Sequence, residues 1–129
     1  MSKITDIELY KLARKSAKNA YAPFSGFKVG AAILTTGGDV FTGVNVENSS
    51  YGATICAERV ACTNAVSEGF REFEAIAIAT YGGVEASPCG MCRQFLFEFA
   101  PKLRVITGKN EDEIEVSNLD ELLPKGFRL

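Results

Sequence analysis

The residues able to do chemistry are four cysteines and one well-placed carboxylate: Cys56, Cys62, Cys89, Cys92 and Glu58. There is no histidine among the 129 residues, which removes every Ser-His, Cys-His and His-metal mechanism. Cys89 and Cys92 form a CxxC pair directly after Pro88, and Cys56 opens the run Cys56-Ala57-Glu58-Arg59. The N-terminus shows no signal-peptide core, so the expected compartment is the reducing cytoplasm, where disulfides rarely persist. A CxxC pair there is redox-active or metal-binding, and by itself it leaves that choice open.

Position along predicted helices sharpens the choice. Cys56 and Glu58 fall at the start of one helix, and Pro88, Cys89 and Cys92 at the start of another. Residues three apart share a helix face, so Cys89 and Cys92 can grip one ion together. Free backbone N–H groups and the positive end of the helix dipole favour thiolate at such a start. Two helix starts meeting at one point suit three thiolates around Zn²⁺, with the fourth tetrahedral position left to water. Cys62 does not close that site. It lies six residues beyond Cys56, an axial rise of about 9 Å and roughly 240° around the helix, against Zn–S bonds of ~2.3 Å. Cys62 is expected to be a small buried hydrophobe. Glu58, two residues from a proposed ligand, can reach the bound water and serve as its base. Three thiolates on Zn²⁺ leave a formal charge of −1, and Arg59 is the adjacent cation to compensate it.

These side chains need a frame. Residues 5–20 predict a helix, capped by Thr5 or Asp6. Ile7, Tyr10, Ala13 and Ala17 share one side, with Lys11, Arg14, Lys15 and Lys18 largely on another as a solvated face. Residues 22–26 break it into a loop. KVGAAIL and DVFTGVNVE, flanking Thr36-Gly37-Gly38, predict two antiparallel strands in a hairpin. Residues 53–68 predict a buried helix ended by Gly69. Residues 75–81 predict a central strand covered on both faces. Ser87-Pro88 predicts the start of a helix running to about Phe99, with Pro in its first turn. Strands over 103–107 and 113–116 and a short helix over 118–124 complete the order α-β-β-α-β-α-β-β-α. The expectation is a single α/β domain over residues 1–129, a three-layer α/β/α sandwich around a mixed five-stranded sheet.

Composition narrows the partners. Apolar residues make up 47% and charged residues 23%, a globular profile, and 14 Lys plus Arg against 16 Asp plus Glu give a net charge of −2. That balance supplies no basic footprint for a polynucleotide. No apolar run approaches the roughly 18 to 20 residues of a membrane span.

Cys56-Ala57-Glu58-Arg59 together with Ser87-Pro88-Cys89-Gly90-Met91-Cys92 resembles the zinc-dependent nucleoside and nucleotide deaminase superfamily. Four further segments resemble the cytidine deaminase family, in its small, homotetrameric, all-cysteine type. They are APFSGFKVGAA at 22–32, NVEN at 45–48, AVSEG at 65–69 and ELLP at 121–124. The likeness runs from about Ala20 to Phe127. It implies hydrolysis of cytidine and 2'-deoxycytidine to uridine and 2'-deoxyuridine with release of ammonia, as in pyrimidine salvage. It implies one Zn²⁺ per subunit on Cys56, Cys89 and Cys92, and Glu58 as the proton shuttle. Asn45 and Glu47, two apart on a predicted strand and so facing one way, would bind the ribose 3'-OH. Phe27 would pack on the pyrimidine and the Ala57 backbone would hold the base. Arg59 would hydrogen-bond the ligand thiolates. Tyr51 and Phe127 would reach a neighbouring subunit's site. Met91 departs from the family, which more often has a small residue there. Cys62 has no counterpart role, and LLPKGF is a variant of the usual ending.

Rival readings make different demands. A thiol-disulfide oxidoreductase would use Cys89 and Cys92 but leaves Cys56, Glu58 and NVEN without a role. A structural zinc module needs a fourth protein ligand. A deaminase of nucleotides would need basic residues near a phosphate, and one acting on a cytosine-containing antibiotic would have no use for a ribose clamp.

Overall fold

Short apolar runs separated by Gly-rich turns form five strands: β1 (Val29–Thr35), β2 (Val40–Val44), β3 (Phe73–Thr80), β4 (Arg104–Gly108) and β5 (Ile114–Asn118). The computed structural model describes residues 3–129. The strands make one sheet in the order β2-β1-β3-β4-β5. β1 runs antiparallel to β2 and β3, β3 parallel to β4, and β4 antiparallel to β5. The sheet is therefore mixed, as expected. β1 is buried at every position, because helices cover both faces.

Period-two alternation decides which residue meets which helix. Ala32, Leu34, Ala75, Ala77 and Ile106 pack with Leu9, Tyr10 and Ala13 of α1 (Asp6–Ser16). Ala31, Ile33, Ile76 and Ile78 pack with Ala57, Ala61 and Ala65 of α2 (Ala57–Ser67) and Leu96 of α3 (Gly90–Phe97). The short α4 (Leu119–Leu122) buries Leu119 in the same layer. Among the described residues no helix is long and apolar enough to cross a membrane.

Thr5 caps α1 reciprocally with Glu8. The helix ends at Ser16, and only a tight turn, Ala17–Asn19, continues toward residue 20. Ile7 is exposed and Leu9 is buried in its place. The buried face centres on Leu9, Tyr10 and Ala13, and Ile7 lies about 100° around the helix from that centre.

The packing of α2 on β2 depends on Gly43. A Cβ there would stand 2.8 Å from Ala57 O and 2.9 Å from Ala61 Cα, both main-chain atoms of α2. The bare backbone lets the start of α2 lie directly on the sheet, and that start carries the chemistry.

Candidate active site

Both cysteine-bearing turns are helix starts. Cys56 is the N-cap of α2 and Cys89 the N-cap of α3, each with extended backbone. The Cys89 sulfur accepts a hydrogen bond from Cys92 N at 3.4 Å. The third helix was expected to begin at Ser87-Pro88, with proline in its first turn. Instead it begins at Gly90 and Pro88 precedes the cap, because the Cys89 sulfur takes the capping role.

The sulfurs of Cys56, Cys89 and Cys92 all lie within 4.8 Å of one another, and those of Cys56 and Cys89 are 3.8 Å apart. Two sulfurs each ~2.3 Å from a tetrahedral ion are separated by about 3.8 Å. The donor set and its spacing therefore fit zinc. Cys92 is buried, Cys56 half-buried and Cys89 exposed, so the cluster is open on one side. Cys62 is buried in the core against the sheet and stands outside the cluster. Among the described residues, no further Cys or carboxylate joins the three sulfurs.

Electrostatics follow from this crowding. A hydrogen bond from Cys92 brings the Cys56 thiol down to about 5. Burial opposes that shift, and Arg59 and Cys89 reinforce it. The same bond to Cys56 pushes Cys92 up. Arg59 donates to Cys56 Sγ at 3.9 Å and to Thr54 O at 3.4 Å, and its buried Nε has no hydrogen-bond partner. Glu58 is only 4% exposed. Burial, and secondarily the Cys56 charge, push its carboxyl up to about 7. Such a group can both hold and give up a proton near neutral pH.

Above the cluster is a cleft of about 240 Å³. Cys56, Ala57, Glu58 and Cys89 form its reactive side, and Phe27, Val29, Ile78 and Ala86 give it apolar walls. Asn45, Glu47, Ser25, Thr54 and Ser87 complete the lining. Asn45 and Glu47 were expected on a strand, but β2 ends at Val44. Single bridges from Val46 to Tyr21 and to Ile55 keep the chain extended past it. The alternation therefore persists, with Asn45 and Glu47 buried and Val46 turned out.

Asn45 Oδ1 accepts from Val29 N at 2.9 Å and Nδ2 donates to Phe27 O at 2.8 Å, fixing the chain at the half-exposed Phe27. Glu47 Oε1 accepts from Phe24 N at 2.9 Å and Ser25 N at 3.0 Å, and Oε2 accepts from the Ser25 hydroxyl. The Ser25 hydroxyl, then its N–H, hold the Glu47 carboxyl below the usual range. Sequence reasoning missed Ser25, Thr54 and Ser87. Ser25 stands in a quoted loop segment, but its partner is 22 residues away and no local pattern reveals it.

Two expected site residues are not in the cleft of this chain. Tyr51 is 75% exposed, with its ring edge-on to Phe24 at 5.8 Å, and Phe127 is 63% exposed. Met91 is also exposed, on the first turn of α3.

Three sulfurs set to hold one ion, a buried carboxyl able to carry a proton and hydrogen-bonding groups lining the same small cleft define a zinc-dependent hydrolytic enzyme. Comparison with known proteins makes this specific. Residues 3–109 match the family described as the cytidine and deoxycytidylate deaminase zinc-binding region, and the chain belongs to that family. It is 49% identical over 116 residues to a probable cytidine deaminase of Dictyostelium discoideum, covering 89% of this chain and 78% of that protein. It is 43% identical over 120 residues to a cytidine deaminase of Halalkalibacterium halodurans, covering 92% and 91%. The crystal structure of cytidine deaminase from Burkholderia pseudomallei superposes with a TM-score of 0.89 at 43% identity, over 96% of this chain and all of that one.

Proposed function

We propose that this protein is a single catalytic domain that hydrolyses cytidine and 2'-deoxycytidine to uridine and 2'-deoxyuridine, releasing ammonia, in cytoplasmic pyrimidine salvage. The observation that carries this reading is the position of Glu58, buried at three converging sulfurs in a cleft that Asn45 and Glu47 also line. The similarity to proteins named cytidine deaminase supports the choice of nucleoside.

Cys56, Cys89 and Cys92 hold one zinc per subunit, which when bound supplies the Lewis acidity that makes water a usable nucleophile near neutral pH. Glu58 takes a proton from the attacking water and delivers it to ring N3 as oxygen adds to C4. It then takes the remaining proton of the C4 hydroxyl and passes it to the exocyclic amine, the C4–N4 bond breaks as the C4 carbonyl forms, and ammonia leaves. Its raised pKa matches a group that must accept and return a proton in one turnover. Glu47 and Asn45 accept and donate to the ribose 3'-OH, Phe27 packs on the pyrimidine, and the backbone at Ala57 holds the base edge. Arg59 offsets the thiolate charge. A site shaped for a tetrahedral C4 holds a hydrated pyrimidine more tightly than the flat substrate.

The working form is a homotetramer in which Tyr51 and Phe127 complete a neighbour's cleft. Their exposure here, outside the chain's own cleft, supports that reading. The test is loss of the cytidine absorbance band by purified zinc-loaded protein, with uridine and ammonia formed in equal amounts. Glu58→Gln is expected to slow turnover by at least ~10²-fold. Wild-type turnover in that variant would refute the shuttle.

A further inference from the structure

Residues 84–89 carry no regular structure, yet they must place Ser87 at the cleft and Cys89 at the metal cluster. At their upstream end the Thr80 hydroxyl holds Val84. Among the described residues, the hydrogen bonds made by residues 85–88 all come from one side chain, Arg93. Its Nε donates to Pro88 O at 2.7 Å and its Nη2 to Ser87 Oγ at 3.2 Å. Its own backbone N–H donates to Cys89 O at 2.9 Å. The third guanidinium nitrogen, Nη1, reaches away from the loop and donates to Leu122 O at 2.7 Å.

Leu122 is a firm anchor. It ends α4, at whose start Asn118 N donates to Glu121 Oε1 at 2.9 Å and Leu119 N to Leu103 O at 2.8 Å. The chain beyond is also seated on α3. Gly126 lies so close to the Phe97 ring that a Cβ would meet it at 2.9 Å, and Gln94 brackets Phe127 by donating to its O at 2.8 Å and accepting from its N at 3.4 Å. Among the described residues Arg93 makes no ion pair with a carboxylate. Each of its three guanidinium nitrogens donates to a neutral acceptor of the loop or the anchor.

We propose that Arg93 is a positioning residue that fixes the Cys89-bearing loop by bracing it against the C-terminal stretch. The proposal rests on Cys56, Cys89 and Cys92 being the zinc site. A guanidinium carries its donors on three separate nitrogens of one rigid plane and so can span acceptors on the loop and on the anchor at once, whereas the three donors of a lysine share a single nitrogen. Loss of the brace leaves Cys89, the most exposed of the three sulfurs, free to swing out with its loop.

The test is the rate at which zinc-loaded protein gives up its metal to an excess of a chromogenic chelator. Arg93→Lys is expected to release zinc roughly 10- to 100-fold faster than wild type, the range over which groups that orient metal ligands act. Ser87→Ala, which removes one of the three side-chain bonds, is expected to release it about 2- to 10-fold faster. A purely structural role would lower the melting temperature of the metal-stripped protein and leave the release rate unchanged. Wild-type release rates in both variants overturn the proposal, and if Arg93→Lys fails to fold, Ser87→Ala decides it. Turnover of cytidine by wild type is measured alongside. Its absence would overturn the function proposed above while the release rates stay readable, so the two failures are distinguishable.

Discussion

Gly43→Ala tests whether the close seating of α2 on β2 sets the catalytic geometry. The added Cβ would stand 2.8 Å from Ala57 O and 2.9 Å from Ala61 Cα, whereas ordinary contact begins at 3.4 Å. Both neighbours are main-chain atoms, so no rotamer change relieves the clash. Ala61 N would be closer still, so α2 must lift from the sheet by roughly 1 Å, and overpacking of this kind costs about 1–3 kcal/mol of stability. Cys56 and Glu58 flank Ala57 and move with it, while Cys89 and Cys92 stay on α3. The 3.8 Å spacing between the Cys56 and Cys89 sulfurs then widens. A displacement near 1 Å at reacting groups costs on the order of 10²-fold in rate. The assay is kcat/KM for cytidine together with zinc per chain and a urea denaturation curve. Gly37→Ala, in the β1–β2 turn where the nearest atom to the new methyl is 3.8 Å away, is the control, and it should change stability by less than about 0.5 kcal/mol. Wild-type kcat/KM in Gly43→Ala, or equal damage from Gly37→Ala, would refute the reasoning.

Tyr10 is buried with its hydroxyl donating to Gly108 O at 2.9 Å, so Tyr10→Phe is expected to lower stability to urea by about 1–2 kcal/mol. Because Tyr10 belongs to the α1 face of the sheet, turnover should stay unchanged. Ser25→Ala removes the hydroxyl bond to Glu47 and should raise KM by roughly 5-fold with kcat held. Glu47 is a depressed carboxyl, so its ionised form and its binding contribution are lost only as pH falls through that lowered value. Without Ser25 its pKa rises, and the acid limb of kcat/KM should move to higher pH. Stripping the metal with a chelator should lower the melting temperature and abolish turnover, and zinc approaching one equivalent per chain should restore both, since three gathered thiolates exist only in the folded chain.

Much of the reactive side was legible because helix starts announce themselves. Ser87-Pro88 and the spacing from Cys89 to Cys92 put one start within three residues of Gly90, and the helix predicted over 53–68 put the other within four residues of Ala57. The exclusion of Cys62 needed only helix geometry, and it lies in the core. The boundary at Pro88 was misread because a thiol serving as N-cap carries no propensity signal. Asn45 and Glu47 kept their predicted orientation although the strand ends before them, since isolated bridges at Val46 preserve the pleat. Ile7 was placed inward because periodicity gives a stripe but not its centre, which the sheet decides. Ser25, Arg93 and Gly43 were invisible for one shared reason. Each acts on a partner brought near by tertiary folding, and nothing in its neighbours along the chain distinguishes it from a loop serine, a surface arginine or a strand glycine.

Cys56 and Cys89 are separated by 33 residues, and what lies between them is α2 and the middle strand of the sheet, β3. Until that strand has slotted between β1 and β4, one sulfur and the other pair have no common address. Metal retention is therefore a certificate of assembly: a freshly synthesised chain that keeps its ion has, by that fact, finished building its centre.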